Sequence, residues 1–370
     1  MKYYIIAGEA SGDLHGSNLM KALLKEDQNA DIRFWGGDLM QSVGGTLVTH
    51  YKERSFMGFA EVIMNLKTIL GFIKFCKKDI EAYKPDVIIF IDNSGFNLRI
   101  AKWAKELGYK THYYISPQVW ASRAGRVKKI KRDIDAMYTI LPFEKAFYSK
   151  YDYDVHFVGH PLIDAVSNRE LIDEKSFRKE HKLSNKPVIA LLPGSRKQEI
   201  KKMLDVMLSV IEDFEDYQFV IAGAPSQDYS FYKSIIGNRD ISFVDNKTYD
   251  LLSISFAALV TSGTATLETA LFKVPQVVCY KANAISYQIA KRIITLKFIS
   301  LVNLIMDREV VTELIQHDLN TKQLKKELHT ILNPEKREQL FLDYYELEQK
   351  LGGRGASENT AKLIYEAIKN

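Results

Sequence analysis

The chain has 370 residues, room for two domains at about 150 residues each. With 46% hydrophobic and 26% charged residues it can build sizeable cores, which excludes a disordered chain. A net charge of +5, from 51 basic against 46 acidic residues, is too slight for a chain-wide nucleic-acid footprint, so no nucleic-acid partner is expected.

Short β-branched or aromatic runs alternate with longer amphipathic stretches. Tyr3–Ala7 is the first strand candidate, and Leu14–Leu24 reads as a helix with apolar residues at Leu14, Leu19, Leu23 and Leu24. Phe56–Phe75 is rich in large apolar residues, among them Phe59, Ile63 and Leu66, flanked by Lys67, Lys74, Lys77 and Lys78. It reads either as a buried helix or as an interfacial segment lying on a membrane. Pro85 opens the run Asp86–Ile91, a buried parallel-strand pattern that ends at Asp92. Thr111–Ile115, Ala136–Leu141 and His156–Val158 are further strands. The polar stretch Ser167–Lys186 then interrupts the series. It restarts with Val188–Leu192, Phe219–Ala222, Ile241–Val244, Ala257–Val260 and Gln276–Tyr280. Strands alternating with helical patterns predict an α/β fold of two doubly wound halves, residues 1–165 and 166–349. Pro334–Leu351 is a charged helix, Gly352-Gly353 breaks it, and Ala356–Ile368 is a last amphipathic helix.

The two cysteines, Cys76 and Cys279, stand in apolar surroundings and support neither a disulfide framework nor a cysteine zinc site. The apolar run Tyr3–Gly8 stops at Glu9, too short for a signal-peptide core. Serines, threonines and Gly263 interrupt Leu251–Leu267, so no membrane span is expected there. A soluble or peripheral protein in a reducing compartment fits these features.

Ligands of open α/β sheets bind beyond the carboxyl ends of the strands, so the strand exits carry the functional expectations. Gly8-Glu9-Ala10-Ser11-Gly12-Asp13 lacks the dinucleotide spacing, and its two carboxylates would repel a pyrophosphate. Asp13 can equally be a helix cap. Asp92, ending an apolar strand, is a candidate general base, with helix capping as its structural alternative. In the second half, Pro193-Gly194-Ser195-Arg196 offers a sharp turn, a hydroxyl and a guanidinium whose fork suits phosphate oxygens. Thr261-Ser262-Gly263-Thr264 puts small residues where a helix begins, and Glu268, about one turn on, could accept from ribose hydroxyls. Together these two exits predict a nucleotide-diphosphate site at Gly194, Ser195, Arg196, Ser262, Gly263, Thr264 and Glu268. Asp133–Asp135 and Asp152–Asp154 lack a third ligand, so no metal site is expected. His160 reads as a turn histidine. Arg123, Arg126, Lys128, Lys129, Lys131 and Arg132 form an acid-free basic stretch, either a solvated helix face or a surface for anionic lipid or phosphate.

Seven motifs, in order along nearly the whole chain, resemble the lipid-A-disaccharide synthase family. They are Gly8–Asp13, Met57–Val62, Ser116–Ala121, Leu141–Glu144, Val158–Pro161, Leu192–Arg196 and Ser262–Ala265. The resemblance implies a GT-B fold, two Rossmann-like domains facing across a cleft, with a C-terminal helix at about 350–370 returning to the first. It implies an inverting transferase that moves 2,3-diacylglucosamine from UDP-2,3-diacylglucosamine onto 2,3-diacylglucosamine 1-phosphate, giving the β-1,6 disaccharide and UDP. It further implies no cofactor, a peripheral place on the inner face of the cytoplasmic membrane of a Gram-negative bacterium, and leaves a homodimer open. The family's strand-exit acid falls on Asp92 and its essential arginine on Arg196, while Glu9, Ser11, Asp13 and Arg123 fall beside the acceptor. Members commonly read Asp-Ala-Pro-Asp-Phe-Asn, whereas this chain reads Asp92-Asn93-Ser94-Gly95-Phe96-Asn97, so the second acid is absent. The usual second tryptophan after Val-Trp-Ala is Ser122 here. A different UDP-sugar transferase, a UDP-sugar 2-epimerase and a non-catalytic membrane-binding protein remain as alternatives.

Overall fold

A computed structural model describes residues 1–54, 66–122, 124–283, 287 and 296–369. The chain divides into two units, Met1–Pro161 with Leu351–Asn370, and Leu162–Lys350. Among the described residues the first unit contains β1 (Lys2–Ala7), β2 (Asp31–Gly36), β3 (Thr46–His50), β4 (Val87–Ile91), β5 (Lys110–Tyr114), β6 (Ala136–Thr139) and β7 (His156–Phe157). They form one parallel sheet in the order β3-β2-β1-β4-β5-β6-β7.

Both faces of this sheet are covered, which is why β1 and β4 read as unbroken apolar runs. Tyr4, Ile6, Ile88 and Phe90 point into a core that also holds Cys76, Ile80, Ile100 and Tyr113. Tyr3, Ile5, Ile89 and Ile91 point the other way, against Leu19 and Leu23 of helix Ala10–Glu26 and Ala361 and Ile364 of helix Ala356–Lys369. The last helix thus belongs to the first unit. Strand β2 escapes the sequence pattern because Arg33 sits in its middle. Its guanidinium forks onto Asp79 at 2.8 and 2.6 Å, a partner 46 residues away that no local pattern announces.

The apolar segment Phe56–Phe75 falls partly outside the described residues, as do Phe59 and Ile63. Leu66 opens the helix Leu66–Tyr83. Its inner face contributes Cys76 and Ile80 to the core, with Phe72 and Ile73 packed against them. Leu70 and Phe75 remain exposed beside Lys67, Lys74 and Lys78. Among the described residues no helix is long and apolar enough to cross a membrane.

The second unit repeats the plan. Its strands are β8 (Val188–Leu192), β9 (Gln218–Gly223), β10 (Ser242–Asp245), β11 (Ser255–Thr261), β12 (Gln276–Tyr280) and β13 (Glu313–Ile315), in the parallel order β10-β9-β8-β11-β12-β13. This is the Rossmann order. The polar stretch read as an interdomain boundary contains the helix Glu174–Glu180, which the Asp173 side chain caps and whose Phe177 is buried in the second core.

Candidate active site

In the first unit the chain winds outward in opposite directions from β1 and β4, which lie side by side. Their exits, Gly8–Asp13 and Asp92–Asn97, therefore meet at the point where such sheets bind ligands. A Cβ on Gly8 would lie 1.8 Å from Nδ2 of Asn93, so only glycine lets the two loops approach this closely. Asp92 and Asn93 both adopt left-handed backbone, with φ of 44° and 42°. Such conformations cost a non-glycine residue about 1–3 kcal/mol each and concentrate at functional sites. Fixed donors hold the strained carbonyl of Asp92: the Tyr113 hydroxyl and, at 2.8 Å, the Asn97 amide.

The Asp92 side chain reaches solvent from a crowded strand end. That crowding, and then the nearby Glu9 carboxylate, raises its carboxyl above the ordinary aspartate value. A raised carboxylate at a strand exit is suited to taking a proton from a hydroxyl. Glu9 and Ser11 are exposed on the neighbouring loop. Arg123 lies outside the described residues.

Asp13 has a different task. It is buried, and its carboxylate accepts from the backbone N–H groups of Gly37 at 2.7 Å and of Leu39 and Met40, each at 3.0 Å. It caps the neighbouring helix Asp38–Val43 rather than its own. Asp13→Ala would strand three donors and is expected to destabilise the protein by about 3 kcal/mol, read as a lower denaturant midpoint. An unchanged midpoint would show that this cap carries no stability.

Two family-like motifs prove to be framework. Glu144 is buried, accepts from the N–H groups of Leu141 at 2.9 Å and Ile140 at 3.2 Å, and takes the Ser116 hydroxyl as well. It therefore ties the exit of β5 to that of β6. His160 is also buried, and burial with nearby His15 lowers its ring to about 3. The ring stays neutral near pH 7, and the backbone N–H of His160 donates to Leu351 O at 3.0 Å, where the chain re-enters this unit. Of the basic stretch, Lys128, Lys129, Lys131 and Arg132 are exposed on helix Val127–Asp133, with Val127 and Ile130 turned into the core, and Arg126 is exposed just before it. Asp133 is forked by Arg132, and Asp135 accepts from Thr111 and Lys105. Among the described residues no three His, Cys, Asp or Glu side chains are grouped to hold a metal ion.

In the second unit β8 and β11 are the adjacent pair at the reversal. Gly194, at φ 102°, turns the chain out of β8, and a Cβ there would lie 3.5 Å from Cγ2 of Thr261 at the end of β11. The two predicted loops are therefore brought together. Ser195 is held through its carbonyl, which accepts from the Ser226 hydroxyl at 2.8 Å and the Gln227 amide at 3.3 Å. Arg196 begins the helix Lys197–Leu208 with its side chain 82% exposed, resting on Glu199 at 3.1 Å. Ser262 spends both its donors locally, its N–H on Cys279 O at 3.1 Å and its hydroxyl on Ile299 O at 2.9 Å. It fixes the turn, which leaves Gly263 and Thr264 at the start of helix Thr264–Leu271 to present N–H groups. Glu268 lies on that helix with its carboxyl raised by burial, and it accepts from the Tyr249 hydroxyl at 2.8 Å.

The family model for lipid-A-disaccharide synthetase matches residues 3–367. The lipid-A-disaccharide synthase of Syntrophus aciditrophicus is 39% identical, over 99% of this chain and 97% of the relative. That of Geobacter metallireducens is 36% identical over 98% and 96%, and that of Coxiella burnetii 34% over 98% of each. The chain belongs to the lipid-A-disaccharide synthase family. It is a glycosyltransferase of lipid A disaccharide synthesis. Solved structures of the same fold include a UDP-GlcNAc 2-epimerase from Neisseria meningitidis bound to UDP-GlcNAc, with a TM-score of 0.65 at 13% identity over 100% of both chains. The glycotransferase of kitacinnamycin has a TM-score of 0.65 at 12% identity, over 99% of this chain and 98% of that one. At such identities these show the GT-B fold alone. The full-length match to the synthases decides against the epimerase reading.

Within this synthase family frame, sequence reasoning named the loops but missed the residues that hold them. Tyr113 reads as an ordinary core aromatic, and Tyr249, Ser226 and Gln227 carry no local signal. Asn97 was visible only as part of a motif, and Glu144 only as an acid three residues after Leu141, the spacing of a capping box.

Proposed function

We propose that this synthase transfers 2,3-diacylglucosamine from UDP-2,3-diacylglucosamine to the 6-hydroxyl of 2,3-diacylglucosamine 1-phosphate, inverting the anomeric centre. The observation that carries the division of labour is the opposite chemistry at the two sheet reversals. Carboxylates stand at the first, and an exposed arginine with a helix start stands at the second.

Asp92 takes the proton of the acceptor hydroxyl as its oxygen attacks the donor's anomeric carbon. The bond from that carbon to the diphosphate breaks, and its electron pair leaves with UDP. Arg196, with the N–H groups of Gly263 and Thr264, meets the charge that develops on the leaving diphosphate. Gly194 and Ser195 shape the turn that presents Arg196, and Glu268 accepts from the donor's ribose. Glu9 and Ser11 line the acceptor side, and Asp13 fixes their loop. Neither a cofactor nor a divalent metal takes part. Incubation with both substrates, with and without a chelator, should give the disaccharide 1-phosphate by mass spectrometry in both samples. No disaccharide refutes the assignment, and a chelator-dependent loss restored by magnesium refutes the metal-free mechanism.

Both substrates carry acyl chains, so the enzyme works at the inner surface of the cytoplasmic membrane of its Gram-negative host. Leu70 and Phe75, exposed beside Lys67, Lys74 and Lys78, support this reading. Changing Leu70 and Phe75 together to serine is expected to abolish salt-sensitive binding to anionic vesicles, and Leu70→Ser, which spares the contact of the Phe75 ring with Trp35, should weaken it without lowering the melting temperature. Retained vesicle binding would exclude this face as the contact.

A further inference from the structure

Glu268 can serve a ribose only if one of its oxygens faces the ligand as an acceptor. A flexible glutamate would have several rotamers open to it, and a protonated one would lose acceptor capacity. The structure removes the first freedom from outside the helix. Tyr249, on helix Thr248–Ser253 after β10, donates its hydroxyl to Oε1 of Glu268 at 2.8 Å. Among the described residues no other donor reaches this carboxylate, so Oε2 is left for a ligand. The ring of Tyr249 is braced in turn, edge-to-face on Phe272 with centroids 5.2 Å apart. Burial and the adjacent carboxylate raise the phenol, so it remains a donor throughout the working range.

We infer that Tyr249 is a positioning residue for the donor nucleotide: it fixes one oxygen of Glu268 so that the other discriminates ribose hydroxyls. The inference rests on the donor-site reading above. Phe272 closes helix Thr264–Leu271 and packs on Tyr249, so the helix that offers its N–H groups to the diphosphate also carries the bracing ring. Diphosphate and ribose contacts are thereby set by one rigid helix and one tyrosine from a neighbouring crossover.

The test is calorimetric titration of the full chain with UDP and with 2′,3′-dideoxy-UDP. The wild-type protein should prefer UDP by about tenfold or more, the value of a hydrogen bond to a charged group. Tyr249→Phe should reduce that preference to about two- to threefold, while affinity for the dideoxy nucleotide and the melting temperature stay near wild type. Phe272→Leu, which removes ring packing but keeps the hydroxyl, should retain most of the preference. Glu268→Ala should erase it. If Glu268→Ala keeps the full preference, the donor-site reading fails. If Glu268→Ala erases it while Tyr249→Phe keeps it, or if Phe272→Leu erases it as fully as Tyr249→Phe, the donor site stands and the role of Tyr249 is overturned.

Discussion

Asp92→Asn is expected to cut transfer by about 100- to 10,000-fold, the usual contribution of a general base. The variant is a clean one. Asparagine tolerates left-handed backbone better than most residues, so the strained φ of 44° at this position survives the change. The carbonyl that Tyr113 and Asn97 hold is untouched as well. UDP binding, assigned to the second unit, should stay close to wild type by calorimetry. Full activity, or a lost affinity for UDP, would contradict the division of labour. The same residue sets a pH signature. A base must be deprotonated to act, so the acid limb of kcat/KM should lie above the ordinary aspartate value. Glu9 contributes to that rise, because a neighbouring negative charge disfavours the ionised form. Glu9→Gln removes it and should move the acid limb to lower pH. A limb that moves upward or stays in place would show that Asp92 does not report that limb.

Arg196→Ala is expected to reduce turnover at saturating donor by about 100-fold, roughly 3 kcal/mol of transition-state stabilisation. The Arg196 side chain is 82% exposed, and among the described residues its one pairing is the surface contact with Glu199. Surface pairs of this kind add little to stability, so the melting temperature should not change. Arg196→Lys keeps the charge but loses the planar fork that matches phosphate oxygens, and should fall between the two. Near-normal turnover in Arg196→Ala would remove this side chain from the mechanism. A protein that melts much lower would instead place it in the framework.

How these two residues are positioned separates what is local in the sequence from what is not. The parallel strands β1, β4 and β8 were legible because helices cover both faces of each sheet, so every position along them after the exposed Lys2 is apolar or aromatic. Their exit loops followed directly, and with them Asp92 and Arg196. Strands β2 and β3 were not legible, because β2 carries Arg33 and β3 is an edge strand that opens on a threonine after two glycines. The three-residue β13, at the other sheet's edge, is too short to show a period.

The sequence by itself thus determined the α/β class, the restart of the pattern in a second half, and the residue types at each strand exit. Those properties depend on periodicity and on neighbours a few residues apart. Only the tertiary structure decided that β1 lies beside β4 and β8 beside β11, which is what brings the paired loops together. It also decided that Asp13 caps a helix some 24 residues on, that Tyr113 holds the carbonyl of Asp92 from 21 residues away, and that Tyr249 reaches Glu268 across 19. Each of these contacts closes over a crossover of the sheet, and the length of a crossover says nothing about which side chains it will bring within hydrogen-bond distance.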